Sequence, residues 1–399
     1  MKKNNKMQLL CIIIMICIGF AGVCTVIGVL GRRFDKNKEK GKECYALSKT
    51  KLEAFNNIDI DVESAEIEVI PADDYYLEYK IYKQNGKPFY KVKEDKFTFQ
   101  DGDSDNEFFQ VNFNIGMHDS QKEYIRLYVP EGKQFQKIVI DNSAGKLNIS
   151  NLAAESLKAD CESGDIEMKH ITVPSLKLEA DYGNVSLKEI QTSEVEMQME
   201  SGNLDTDSIT CTSFDLQNSY GAVNLGEIAG ETIKITMESG NLEVNNVKTN
   251  IFDVENDYGN LKFGTISSNE TKFSQSSGNF NSTTLETNTL ELENEYGKIS
   301  IGKLICEEGN IIGSDGDINI DMLQAKRMKM DSEYGAISFG VIGKIQDYNY
   351  KLRTEEGSVH LPDDMVDDDE EDYGVCNIDN QKDAVIEVES DGGNITLRE

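Results

Sequence analysis

Apolar residues alternate with polar ones along most of the chain, in short runs that glycines separate at regular intervals. Eleven glycines stand 19 residues apart between residues 145 and 335. Apolar residues stand two and seven places after each of them, and in most repeats four places after as well. Alternation with a period of two is typical of a β-strand that buries one face, and glycine adopts the positive φ of a sharp corner at little cost. Each repeat therefore predicts two short strands joined at a glycine corner.

Two folds could use such a unit. In an antiparallel meander, the single sheet would have nothing against which to bury its apolar face. In a parallel β-solenoid, each coil closes around its own apolar residues and the coils stack on one another. The strict period favours the solenoid, because equal coils stay in register. We predict an all-β parallel β-solenoid, or β-helix, of about fourteen 19-residue coils over residues 134–399, continuing through Gly357, Gly374 and Gly393.

Residues 44–133 lack the strict period but contain segments with aromatic and β-branched residues at alternate positions, such as YYLEYKIY and EYIRLYVP. Such segments favour strands. A solenoid needs an end that stops further strands from adding to it. We therefore expect residues 44–133 to form an N-terminal β cap that grades into the first coils, and residues 384–399 to form the last coil.

The residue before the corner glycine alternates between a small residue and tyrosine, so the full repeat is 38 residues, or two coils. The tyrosines are Tyr182, Tyr220, Tyr258, Tyr296 and Tyr334. At the ordinary strand spacing they would stand about 9.6 Å apart. One interpretation is corner packing, with large rings over small serines and with Asn218, Asn256 and Asn294 satisfying backbone groups of an inner turn. The other is an exposed aromatic row that stacks on sugar rings or on a partner protein.

Near the amino terminus, residues 9–30 form an apolar run without a charge, long enough to cross a bilayer as a helix. A signal peptide would have a shorter apolar core and a small-residue cleavage site, so we expect an uncleaved transmembrane anchor between a basic tail (1–8) and a charged linker (31–43). There are 3 Lys/Arg residues before the run and 6 after it. By the positive-inside rule this count would place the large C-terminal part in the cytoplasm, so charge leaves the orientation open.

The chain has 40 Lys and Arg against 72 Asp and Glu, a net charge of −32. Such a charge argues against nucleic acid or an anionic membrane surface as a partner. Eight of the ten residues 363–372 are acidic. This segment is either a solvated loop or a calcium site. Asp363, Asp364, Asp367 and Asp368 are the candidate ligands, without the spacing of a patterned calcium loop.

No residue pattern predicts catalysis. Cys161, Cys211, Cys306 and Cys376 are scattered through the coils, and we expect them to be buried fillers without a disulfide among them. His118, His170 and His360 have no partner at metal-ligand spacing, and we expect the last two to face outward from strands. No nucleophile, phosphate-loop or dinucleotide motif is present. We therefore expect no catalytic residues, no resident metal and no cofactor.

Three features together resemble the bacterial putative-adhesin family of β-solenoid domains, a family of unknown function. They are the opening FNNIDIDVESAEIEVI, the segment IRLYVPEGKQFQKIVIDNSAGKLNI, and coils such as ESGDIEM, DYGNVSL and ESGNLEV. The resemblance covers residues 52–399. It implies a protein on the outer face of a bacterial envelope, and some members look like accessory proteins of cell-envelope stress systems. It implies no catalytic residues.

Three functional hypotheses follow. The first is a non-enzymatic, membrane-anchored surface solenoid, an adhesin or binding scaffold for a glycan or protein partner, since regular coils present long faces. The second is an accessory regulator of a cell-envelope stress response that docks a membrane sensor. The third is an enzyme that degrades polysaccharides in an acidic groove. The sequence does not indicate ice binding, because no regular T-x-T row repeats on one face.

Overall fold

The structure is a computed structural model that describes residues 44–83, 87–101, 122–362 and 374–399. In these residues, 29 strands form one continuous hydrogen-bonded sheet. Among them, no helix is long and apolar enough to cross a membrane. The predicted anchor at residues 9–30, with its flanking tail and linker, lies outside the described residues.

Seven strands precede the regular coils. They are β1 (Cys44–Lys51), β2 (Asn57–Ser64), β3 (Glu66–Ala72), β4 (Tyr76–Tyr82), β5 (Phe89–Lys93), β6 (Lys96–Gln100) and β7 (Tyr124–Pro130). The strands of the regular coils are β8 (Gln134–Ala144), β9 (Leu147–Ser163), β10 (Ile166–Tyr182), β11 (Val185–Ser201), β12 (Leu204–Thr210), β13 (Ser213–Tyr220), β14 (Val223–Ala229), β15 (Thr232–Ser239), β16 (Leu242–Lys248), β17 (Ile251–Tyr258), β18 (Leu261–Ser267), β19 (Glu270–Ser277), β20 (Phe280–Glu286), β21 (Thr289–Tyr296), β22 (Ile299–Asp315) and β23 (Ile318–Ser332).

The C-terminal part contains a short 3-10 helix at Ile345–Asp347. Its strands are β24 (Ile337–Val341), β25 (Asn349–Thr354), β26 (Val359–His360), β27 (Val375–Ile378), β28 (Val385–Ser390) and β29 (Ile395–Arg398).

Paired residues of successive regular coils from β8 to β23 stand 19 places apart. Strands β13 and β15 pair in parallel with Phe214 opposite Ile233, and β14 pairs in parallel with β16 with Val223 opposite Leu242. The predicted parallel β-solenoid is therefore confirmed. It has about eleven turns.

The corner glycines are required by the close approach of one coil to the next. Gly240 has a φ of +140°, and a Cβ added there would lie 1.9 Å from the carbonyl oxygen of Gly221. The same clash with the preceding corner recurs along the stack. Alanine is excluded at these positions by backbone contact between coils as well as by the φ angle.

The core is a set of apolar columns inside the coils. Where the columns are filled by Phe252, Phe263, Phe273 and Phe280, the rings interlock with centroids 4.8–5.7 Å apart. All four rings are at most 2% exposed. Burial of a side chain of this size contributes roughly 1.5–3 kcal/mol, so the fold is stabilised by many equal increments along its axis.

Buried asparagines recur inside the corner with the 38-residue period. Asn218, Asn256 and Asn294 are each 2% exposed. Their amide groups donate to the carbonyl oxygens of Gly221 (3.2 Å), Gly259 (3.1 Å) and Gly278 (3.0 Å). The predicted role of these asparagines in satisfying an inner turn is confirmed.

At the amino-terminal end, strands β2 and β3 do not form the outermost layer, because each lies between two other strands. Strand β2 pairs in parallel with both β6 and β8, and β3 pairs in parallel with both β7 and β9. Beyond them, β5 lies antiparallel on β6, β4 on β7 and β1 on β4. These antiparallel strands cover the edge that the parallel rungs would otherwise expose.

The carboxyl-terminal end has the same arrangement, so the order of the coils differs from the predicted order. Strand β28 lies between β23 and β25, and β29 lies between β24 and β26. The corner of Gly393 therefore stacks on that of Gly335, and the corner of Gly357 stacks on Gly393. Gly374 precedes the antiparallel edge strand β27. The prediction of about fourteen coils in chain order was wrong, because these three glycines do not continue the regular series.

We predict that Gly240→Ala destabilises the fold far more than Gly132→Ala. At Gly240 the new Cβ would meet backbone, so the two corners would have to separate, with a loss of about 4 kcal/mol or more. Gly132 has a φ of +71° and no atom within 4 Å of an added Cβ, so only the φ penalty of about 1–2 kcal/mol applies. Urea unfolding measures both, and equal losses would contradict the close-approach explanation.

A second prediction concerns a chain that ends at residue 383. Strand β25 would lose its parallel partner β28 and keep only the antiparallel edge strand β27, so amide hydrogen-exchange protection of Asn349–Thr354 should fall sharply. Strands β13–β20 serve as the internal control and should stay protected. If the coils stacked in chain order, β25 would pair with β23 instead and would keep its protection.

Candidate functional site

The five predicted tyrosines form one exposed column at the glycine corner. Four of them end strands β10, β13, β17 and β21, and the fifth follows β23. Their exposed fractions lie between 56% and 71%. The rings are largely exposed at the corner, and the function of this column stays a prediction. The column consists of Tyr182, Tyr220, Tyr258, Tyr296 and Tyr334.

Small residues separate the tyrosines within this column. Tyr220 pairs with Ser201 on one side and Ser239 on the other, and Tyr258 lies between Ser239 and Ser277. Successive rings are therefore two coils apart, or about 9.6 Å. Each ring is therefore separated from the next tyrosine by a small side chain.

The backbone holds the column rigidly. The carbonyl oxygen of Tyr220 accepts from the N–H of Gly202 at 3.0 Å, and that of Tyr258 accepts from the N–H of Gly240 at 2.8 Å. The backbone at each of these tyrosines is thus hydrogen-bonded to the adjacent coil. Little backbone entropy remains to be lost when a partner binds.

A ladder of asparagines runs beside the column, one place after the corner glycines. The side-chain oxygen of Asn184 accepts from the backbone N–H of Asn203 at 3.1 Å, and that of Asn241 accepts from the N–H of Asn260 at 2.9 Å. This ladder was not predicted, although the repeated Gly-Asn dipeptide in the sequence indicates it. On the other side of the rings lie half-buried or exposed carboxylates such as Asp257. The surface therefore combines aromatic rings, amides and negative charge.

A second glycine row, also not predicted, follows the same 38-residue period. Gly226, Gly264, Gly302 and Gly340 stand five places after the corner glycines of the tyrosine coils. Here two successive residues lie on the outside, as the burial pattern of β14 shows, so the strand bends. A groove follows this bend, with cavities of about 600 Å³ and about 300 Å³. Its signal was the spacing of the glycines in the sequence.

Near the amino-terminal end, the outward carboxylates of Asp160 and Glu179 stack on each other, in the part of each coil that precedes the corner glycine. Burial, with a hydrogen bond to Glu179 and the nearby charge of Asp141, raises the pKa of Asp160 to about 6. Lys158 lies 3.6 Å from Asp160 and 3.4 Å from Glu179. Hydrogen bonding from Asp160 lowers the pKa of Glu179. Because coils stack at about 4.8 Å, ionisation of one of these carboxylates opposes ionisation of the other.

His170 belongs to an exposed polar trio at the bend. Its Nδ1 lies 3.0 Å from Oδ1 of Asn151, and its Nε2 lies 3.0 Å from Oε1 of Glu189. All three residues have φ between 52° and 55°. The predicted outward position is confirmed for His170 and for the exposed His360, whereas His118 lies outside the described residues.

Three of the cysteines are buried fillers, as predicted. Burial raises the pKa of Cys161 and Cys306 to about 12 and that of Cys211 to about 11. Such thiols are inert as nucleophiles. Cys376 is only half-buried, which differs from the prediction.

The candidate calcium ligands Asp363, Asp364, Asp367 and Asp368 lie outside the described residues. Within the described ranges, no group of three or more His, Cys, Asp or Glu side chains could hold a metal ion.

The carboxylate stack predicts a pH effect on stability. A raised folded-state pKa means that the contribution of Asp160 to stability is fully present below its ordinary pKa of 3.8 and is lost as the pH rises through about 6. Asp160→Asn, which resembles the protonated acid, should therefore match or exceed the wild-type melting temperature at pH 7 and should flatten its fall in this range. The exposed Asp257→Asn is the control. A steeper pH profile for Asp160→Asn would contradict the assignment.

Several solved structures are similar to this chain. A putative adhesin from Parabacteroides merdae is 14% identical, with 76% of this chain and 94% of that chain covered and a TM-score of 0.28. A putative adhesin from Parabacteroides distasonis is 14% identical, with coverages of 70% and 97% and a TM-score of 0.30. One from Bacteroides fragilis is 12% identical, with coverages of 90% and 98% and a TM-score of 0.22. TM-scores this low carry no argument about function.

No curated protein matches the sequence. The family model of Toastrack DUF4097 matches residues 55–230 and 227–398. The resemblance drawn from the cap, the strand ending in Val129 and Pro130, and the coils is thereby confirmed. Since the two matched segments together cover well over half of the sequence, the chain belongs to the Toastrack DUF4097 family.

Proposed function

We propose that this protein is a non-enzymatic binding scaffold, anchored in the cell membrane through residues 9–30 and displayed outside the bacterial cell. In this role the solenoid is an adhesin that holds a glycan or protein partner at its surface. The observation that carries the proposal is the column of exposed tyrosines, together with its spacing.

The exposed tyrosine rings are not part of the buried core of the coils that carry them. A serine occupies the same corner position in the intervening coils and leaves the backbone pairing unchanged. Large exposed aromatic residues are enriched where one protein surface binds another molecule, because a ring offers a wide contact area at low entropic cost. Five rings in one straight column favour a partner that is itself extended.

The negative charge of the protein limits the classes of partner that it can bind. The carboxylates beside the rings and the net charge of −32 would repel nucleic acid and other polyanions. Amides, phenol hydroxyls and carboxylates together suit a partner that offers hydroxyl groups or positive charge.

The test begins with the location of the solenoid. Protease applied to intact cells, followed by detection with an antibody to residues 134–399, should show cleavage of this region. Survival of the region until the cells are lysed would contradict surface display. It would agree with the positive-inside count and would favour the accessory-regulator hypothesis with a cytoplasmic partner.

The second part of the test removes the rings. In cells that carry Tyr220→Ser, Tyr258→Ser and Tyr296→Ser together, adhesion to the natural surface should fall at least about ten-fold. The melting temperature should shift little, since exposed substitutions usually change stability by less than about 0.5 kcal/mol each. The matched control replaces the same tyrosines with phenylalanine, which keeps the stacking faces and should retain adhesion. Unchanged adhesion in the serine variant would reject the column as the binding surface.

A further inference from the structure

We propose that the groove at the strand bend binds a linear, uncharged polysaccharide that lies along the stack of coils. The groove is lined by outward residues three and five places after the corner glycines, and it is called the bend groove below. The inference rests on the proposed function, since it names the chemical class of a partner for the scaffold. It concerns a surface separate from the tyrosine column.

The shape of the bend groove fits a chain and not a compact molecule. The cavity of about 600 Å³ spans residues Ser186 to Asn246, and the cavity of about 300 Å³ spans Lys262 to Asp321. Between them they take lining residues from each of the eight coils that begin at Gly183 and end at Gly316. The coils are about 4.8 Å apart, so the groove follows the axis for about 34 Å.

Glycines divide the bend groove into equal steps. Gly226, Gly264 and Gly302 carry no side chain into the groove, and an added Cβ at Gly226 would meet the carbonyl oxygen of Asp207 at 2.2 Å, so the coils lie close together there. In the coils between them, the same position carries a polar side chain, such as Asn245 or Thr283. A position without a side chain and a position with a polar group thus each recur every two coils, or about 9.6 Å. This interval is close to that of successive disaccharides in an extended β-1,4-linked chain.

The side chains in the middle of the groove have unused hydrogen-bonding capacity. Asn245, Asn281 and Thr283 are exposed, and none of them has a side-chain hydrogen bond to another described residue. An amide offers two donors and an acceptor, and a hydroxyl offers one donor and two acceptor sites. Sugar hydroxyl groups are donors and acceptors at once, so they match this set better than a peptide backbone does.

Charge in the part of the groove from Asn245 to Asn319 disfavours other polymers, whereas the rest of the lining carries Lys188, Asp207 and Glu227. Lys262 is paired with Glu243 at 2.6 Å, and Asp205 accepts from the amide of Asn224 at 2.8 Å. From Asn245 to Asn319, all other lining side chains are neutral. A polyanion would find no unpaired cation in that stretch, and a polycation would find no free carboxylate there. The lining is also too polar for an acyl chain or an amphipathic helix.

The experiment uses the full-length chain in lipid nanodiscs, with cello- and chito-oligosaccharides from tetrasaccharide to octasaccharide as probes in calorimetry. Affinity should rise with oligosaccharide length, since each added disaccharide occupies another step of the groove. Asn245→Leu, Asn281→Leu and Thr283→Val together should weaken octasaccharide binding at least about ten-fold. The matched control is Gln217→Leu, Thr236→Val and Ser274→Val, which makes the same kind of change on the other strand of the coils and should bind as wild type does.

Hydrogen exchange of the wild-type protein provides a measurement that depends on no variant. The octasaccharide should slow exchange at residues 243–246 and 281–283 while the tyrosine column is unaffected. Three results would overturn the inference: no binding of any neutral oligosaccharide, equal loss in the control variant, or binding of oligolysine or a protein alone in the groove. If these results appear while the tyrosine-dependent adhesion persists, the proposed function stands and only the polysaccharide groove is rejected.

Discussion

The whole structure depends on how closely one glycine corner lies on the next. In-register parallel stacking puts every corner directly above its predecessor, at a distance where a Cβ would lie about 2 Å from a carbonyl oxygen. Each corner therefore imposes glycine on the following one, and the spacing of the glycines cannot vary without shifting a strand out of register. A shift by one residue would turn every apolar side chain of that strand outward. The strict 19-residue period is the consequence of these two constraints acting together.

The same stacking creates a difficulty at the two ends, where a parallel rung would expose a full row of hydrogen-bonding groups. Both ends meet it in the same way. Strands β2 and β3 at one end, and β28 and β29 at the other, each lie between two other rungs, and antiparallel strands such as β1, β5 and β27 lie at the outer edge. This arrangement ties each end of the repeat region into the interior of the sheet, so fraying would have to break hydrogen bonds on both sides of the terminal strands.

Much of this fold could be predicted from the sequence, because the period of two and the period of 19 each have one physical cause. The positions of Val223 and Leu242 in the core and the in-register pairing follow directly from these periods. The order of coils near Gly393 could not be predicted, since an inserted rung has the same alternation as a terminal one. The exposure of Tyr220 could not be predicted either, because a residue at a corner belongs to neither face of a strand. The row that includes Gly226 could have been found from its spacing, which matches that of the tyrosines.

The two periods also separate what the fold needs from what it leaves available. Stacking requires a repeat of 19 residues, and each coil meets that requirement alone. The repeat of 38 residues adds an inner asparagine such as Asn256, an outer tyrosine such as Tyr258 and a bend glycine such as Gly264 to the same coil. Only the asparagine contributes a hydrogen bond inside the corner. A serine stands at the position of the tyrosine in both coils that flank Tyr258, and the backbone pairing is the same there. The repetition of the tyrosine in phase over five coils on one surface is the observation behind the proposal that this surface binds a partner that repeats at the same interval.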